Sequence, residues 1–112
     1  MNHLCIFLLS IVISSMSFAA NIDLSKQDFF GEWQVIQIND RNAIADKEVW
    51  EFSKNTIEII VDGSSDTTTT YEVLGNTIFV DSDRIKILEF SDNNTKLDGL
   101  GAVYHLKKLN SK

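Results

Sequence analysis

The chain contains no proline and a single cysteine, Cys5, and each shortage rules something out. Cys5 lies inside an apolar leader, so a chain that loses the leader has no disulfide, no thiol nucleophile and no zinc–cysteine site. An exported domain of small size without disulfides depends on its hydrophobic core alone, which favours a regular, closed, well-packed sheet. The missing proline removes one common device for blocking an exposed sheet edge, and this too favours closure. Basic residues are scarce: ten Lys and Arg stand against sixteen Asp and Glu, a formal charge of −6. Nucleic acid is therefore disfavoured as a partner, because phosphate binding needs a basic surface. No segment of about ten or more residues keeps apolar positions at helical spacing, so long helices are not expected.

The leader differs in composition from the rest. Residues 4–18 are predominantly apolar, a stretch shorter than the ~20 residues a helix needs to cross a bilayer, and Ser17 and Ala19 satisfy the small-x-small rule for cleavage before Ala20. Residues 1–19 thus predict a secretory signal peptide, with an uncleaved anchor as the alternative and a periplasmic or secreted destination. Cys5 sits at the start of the apolar run, the wrong place for a bacterial lipid attachment. Removing residues 1–19 from the 112 leaves 93, enough for one domain spanning residues 20–112 and not for two. The leader contains no Asp, Glu, Lys or Arg, so the whole charge belongs to that domain.

In it, apolar and polar residues alternate through EWQVIQIN, EVWEFS, TIEIIVD, TTTYEVL, TIFVD, RIKILEF, TKLDGL and AVYHLKKL. Period-two alternation with one polar face describes a sheet wet on one side. Turns rich in Gly, Asn, Asp and Ser (SKN, DGSSD, LGN, DSD, SDNN, LG) join neighbouring antiparallel strands. The fold expected is all-β, a small up-and-down antiparallel barrel of about eight short strands. Trp50 and Phe52 share its inner face with Ile57, Ile59 and Val61, and with Tyr71 and Val73. Trp33 and Val35 fall on one parity and Ile36 and Ile38 on the other, which predicts a bulge or sharp bend near Val35 and Ile36. Before the first strand, LSKQDFF suits one helical turn, Ser25 preceding Asp28 by three, with Leu24, Phe29 and Phe30 placed to plug one mouth, or an extended lead-in with Phe29 and Phe30 packed on the rim.

The segment FFGEWQV, with Gly31 and Trp33 opening the first strand, resembles the Gly-x-Trp signature of the lipocalin and calycin superfamily. The strand number and the closing YHLKK resemble it as well, and the short chain is similar to compact lipocalin-like domains of bacterial envelope proteins. The resemblance implies that Trp33 packs across a closed barrel floor beneath a basic side chain near the last strand, Lys107 or Lys108, making Gly31, Trp33 and Lys107 structural anchors. It also implies binding of a small apolar or amphipathic molecule.

The residues themselves supply no catalytic machinery. His105 is the one histidine after the leader; it shares an outward parity with Lys107, and no nucleophile or orienting acid accompanies it. Asp62 and Asp66, like Asp81 and Asp83, carry oxygens that calcium prefers but lack a metal-loop pattern, and they are the residues tight turns use. Threonines 67–70 suit a half-exposed strand. A non-enzymatic chain, without cofactor or metal and monomeric, is the expectation.

Two functions from different classes remain. One is binding of a small apolar or amphipathic ligand, with Trp50, Tyr71 and Tyr104 as contacts. The other is docking on a basic envelope protein, in the manner of an inhibitor or immunity protein, through outward carboxylates: Glu51, Glu58, Glu72 and Glu89, and the turn residues Asp62, Asp66, Asp81 and Asp83. A cavity of ~300 Å3 or more favours the first, and a filled barrel with an exposed apolar patch favours the second.

Overall fold

A computed structural model describes residues 23–109. The leader assigned to residues 1–19 lies outside them. The described chain is an antiparallel barrel built from alternating strands: β1 (Gly31–Ile38), β2 (Arg41–Asn42), β3 (Glu48–Phe52), β4 (Thr56–Val61), β5 (Ser64–Leu74), β6 (Thr77–Val80), β7 (Asp83–Phe90), β8 (Asn94–Gly99) and β9 (Ala102–Lys108). Each of β3 to β9 pairs with its sequence neighbour, β1 pairs with β3, and β9 returns to pair with β1. Eight strands close the wall, and the two-residue β2 lies beside β1 as an addition. Closure satisfies the edges an open meander would leave bare.

Alternation places one residue in two inside. Trp33, Val35, Trp50, Phe52, Ile57, Tyr71, Ile78, Val80, Ile85, Ile87, Leu97 and Leu106 are buried, and Ile59, Val73 and Tyr104 pack against them. Val61, expected on the same inner face as Ile57 and Ile59, is exposed, because β4 runs past the core before it turns. The parity conflict in β1 is resolved as expected. Val35 opposes Leu106 and Gln37 opposes His105, so Ile36 is the extra residue of a bulge. A similar slip in β7 leaves Leu88 unpaired between Ile87 and Glu89; the buried Thr95 hydroxyl donates to the Glu89 carbonyl at 2.7 Å.

The turn DGSSD is shorter than its composition suggests. Asp62 and Gly63, both at positive φ, make the whole of it, and residues 64–66 already belong to β5. Such two-residue turns match the twist of the strands they join. Ahead of β1, α1 (Lys26–Phe29) is a single helical turn whose start is fixed by Asp28, which accepts from the Ser25 amide at 2.9 Å. No described helix is long and apolar enough to cross a membrane.

Candidate functional site

The two ends of the barrel are built differently. At the end where β1 begins, the lead-in crosses the opening. Leu24 bridges to Gly75 in the β5–β6 turn, and Phe29, fully buried, packs its ring 5.2 Å from Phe52, 5.0 Å from Phe90 and 6.0 Å from Trp33. Phe30 does not join the plug: its side chain is exposed. The Trp33 indole N–H donates to the Phe29 carbonyl at 2.8 Å, which satisfies its one polar atom inside the core.

A lysine closes this floor. Lys108 holds its ammonium 4.9 Å above the Trp33 ring and donates to the Phe30 carbonyl at 2.8 Å. The anchor is therefore Lys108, and Lys107, assigned that part from sequence, is exposed. With Leu106 buried, alternation turns Lys107 to solvent and brings the next residue back over the barrel end. Gly31 is needed on two counts: its φ is +118°, and a Cβ there would meet Lys108 Cε at 3.1 Å. The floor is structural and sealed.

Tyr71 belongs to this end too. Its hydroxyl donates to the Ser53 carbonyl at 2.6 Å and Lys26 lies 5.0 Å from its ring. Burial, helped by the neighbouring Glu72 charge, pushes its phenol up to about 12. Tyr71 is thus a core residue with a committed hydroxyl and not a free contact.

At the opposite end the β1–β3 connection packs against β1, with Ala43 buried in the core and its amide donating to the Ile36 carbonyl at 2.9 Å. Trp50 stacks at 5.0 Å on Tyr104, and its indole N–H donates to Glu48 at 2.8 Å. Burial raises the Tyr104 phenol above its ordinary value, with the Glu48 charge adding to the effect. Beside Trp50 lies a cavity of about 200 Å3, floored by Trp50, Ile57, Ile59, Val80 and Ile85 and rimmed by residues 67–69, Asp81, Asp83 and Leu100.

The cavity exists because two neighbouring strands differ in length. β5 runs for eleven residues and β6 for four. They pair only from Tyr71 opposite Val80 to Leu74 opposite Thr77, after which the chain turns at Asp81 and Ser82 into β7. Among the described residues, positions 64–70 of β5 have β4 on one side and no registered strand on the other. The wall has a notch there, about 20 Å of strand edge at ~3.3 Å per residue. On its outer side Thr70, Tyr71, Glu72, Phe79 and Asp81 surround a second, shallower hollow of about 260 Å3.

Leu100 overhangs the notch from the β8–β9 turn. Its φ is +56° and its side chain is 43 % exposed. The left-handed region suits Gly, Asn or Asp, and a branched leucine held there carries backbone strain of about 1–2 kcal/mol. An exposed apolar side chain in a strained turn, over an apolar cavity, is a combination that packing alone does not demand.

Of the contacts expected from sequence, the structure brings only Trp50 to the cavity. Tyr104 stands behind Trp50, Tyr71 is at the other end, and Glu51 and Glu58 lie on the outer wall directly opposite each other, with Glu32 opposite Glu51. Residues 67–69, Asp81 and Asp83 have the sequence character of solvated strand and turn, and Ile85 and Leu100 have no distinguishing signal of their own, yet all of them line the cavity. One signal pointed to them: the run TIFV is far too short to cover TTTTYEVL beside it. His105 is half-buried, its Nδ1 3.4 Å from Gln37 Oε1.

The closed eight-strand wall is consistent with a calycin-like fold. No protein-family model matches the sequence, and comparison with curated proteins gives no match.

Proposed function

We propose that this chain is an exported, non-catalytic lipocalin-like barrel that binds a small amphipathic molecule at its open mouth. The observation that carries the reading is the apolar cavity beside Trp50, with hydroxyls and carboxylates only at its rim. Ligand sites have this construction, an apolar floor with a few polar groups that orient the guest. The volume narrows the guest. At about 200 Å3 the cavity falls short of the ~300 Å3 at which drug-sized sites begin, while an apolar space of ~150 Å3 takes a benzene. A single ring or short branched chain with one polar end fits, and a lipid does not.

The second reading, a basic protein partner, has its own support on the outer wall. Glu32, Glu51 and Glu58 stand side by side on β1, β3 and β4. Like charges placed directly across strands destabilise a sheet, so the row has a cost that a basic surface would offset.

Benzyl alcohol, a one-ring amphipath, tests the first reading by NMR. Saturable shifts are expected at the methyl groups of Ile57, Ile59, Ile85 and Leu100 and at the Trp50 indole N–H, and Ile59→Phe, which fills the cavity, should abolish them. Shifts scattered over the surface, or unchanged in Ile59→Phe, would overturn the cavity as the site.

A further inference from the structure

The notch leaves a strand edge open as well as a cavity, and the edge has a direction. The Tyr71 amide donates to Asn55 on the β4 side. In a strand, alternate residues send their N–H and C=O groups to opposite sides, so Thr68 and Thr70 present theirs away from β4, toward the notch. Above them Asp66 is the extra residue of a bulge, since Ile59 opposes Thr67 and Ile60 opposes Ser65. Bulges twist an edge and end pairing. The straight part of the edge is therefore residues 67–70, enough for one short segment.

We propose that this edge takes an extended segment of a basic partner protein by strand addition, with one apolar side chain of the segment entering the cavity beside Trp50. The inference rests on the open-mouth site proposed above and names a macromolecular source for its guest. An added strand recognises main chain through hydrogen bonds along the edge and side chains through pockets on alternate faces. Both kinds of pocket flank this edge: the inner cavity and the outer hollow by Tyr71, Glu72 and Phe79. A 200 Å3 space matches a single aromatic or branched side chain.

Charge selects the occupant. Between Asn55 and Asp83 the sequence has six carboxylates, Glu58, Asp62, Asp66, Glu72, Asp81 and Asp83, and no Lys or Arg. Two of them have lysine partners, Asp62 with Lys47 at 3.9 Å and Glu72 with Lys26 at 3.4 Å. A second copy pairing through the same edge would bring its own Asp66, Asp81 and Asp83 against these. A lysine- or arginine-bearing segment meets the opposite field.

The probe is a capped peptide of about seven residues, alternating lysine and valine around a central phenylalanine, titrated against the full chain and followed by the Thr68, Thr70 and Trp50 resonances. Two further peptides carry one N-methyl group each, on successive residues. Strand addition requires one of the two to bind about tenfold more weakly, having lost a main-chain hydrogen bond, and the other to keep its affinity. Thr68→Pro removes a donor from the open edge and should weaken the parent peptide similarly, with circular dichroism reporting the fold. Glu58→Gln with Asp66→Asn, two carboxylates that do not line the cavity, should weaken the peptide in low salt and leave benzyl alcohol unaffected. Benzyl alcohol binding without peptide binding overturns this inference and leaves the small-molecule reading standing; equal binding of both N-methyl peptides overturns strand addition; failure of both probes removes the site itself.

Discussion

At the scale of single residues, Trp33 and Lys108 bear most of the weight of the floor. Trp33 has no exposure and spends its one polar atom on the Phe29 carbonyl. Trp33→Ala should cost about 3–5 kcal/mol, the range for deleting a large aromatic from a core, and denaturant melts would register it as a large part of the ~5–15 kcal/mol that a small domain possesses. Lys108→Met removes both the ring contact and the bond to Phe30, whereas Lys107→Met removes an exposed charge. The first should lower the melting midpoint and the second should leave it almost unchanged. Tyr71 supplies a pH dependence. Its phenol titrates near 12 when folded and near its ordinary value of 10 when unfolded. Between those values the folded chain holds more protons, so stability falls as pH rises from about 10 and is fully present below it. Melts across that interval should show the decline, and Tyr71→Phe should flatten it.

At the scale of elements, strand pairing explains what is stable and what was visible beforehand. The outer row of Glu32, Glu51 and Glu58 arises from register alone. Glu51→Gln, which breaks the row in the middle, should stabilise the chain by about 0.2–1 kcal/mol, and the gain should shrink as salt screens the row; a loss of stability on chemical denaturation would contradict this. The alternation that announced the strands is a property of each run by itself, so Trp50, Phe52, Ile57 and Tyr71 were assigned inward correctly from sequence. The break near Val35 and Ile36 was legible too, because two apolar pairs of opposite parity within one strand require a bulge or a bend, and the register shows a bulge at Ile36. The cavity was less legible, since it depends on the difference in length between two strands and on where their turns fall. Asp62 and Gly63 form a complete turn, and the serines after them pass into β5. Once β5 is known to be long, Asp81 and Asp83 become the rim of a notch. β2 escaped notice for another reason: two residues, Arg41 and Asn42, show no alternation to detect. Lys107 rested on the family resemblance, which allowed either lysine; alternation carried past the inward Leu106 turns Lys107 outward and brings Lys108 over the floor, so strand parity holds to the rim.

For the whole molecule, closure depends on the first and last strands meeting. β9 pairs with both β8 and β1, and without it the wall keeps two open edges. Contacts so distant in sequence make for slow folding, in the millisecond-to-second range usual for β-barrels. A chain ending at Gly101 should fail to fold cooperatively and should aggregate, and size-exclusion chromatography would show whether it does. The same meeting of strands sets an orientation. The lead-in begins at the floor, where Leu24 meets Gly75, and the described chain leaves there too, the Leu109 amide donating to the Glu32 carbonyl at 2.8 Å. Both ends of the barrel's chain thus emerge at one pole and the notch opens near the other. Anything joined to either end, whether a tether to a surface or a second domain, would hold the barrel by its sealed base and present the notch outward.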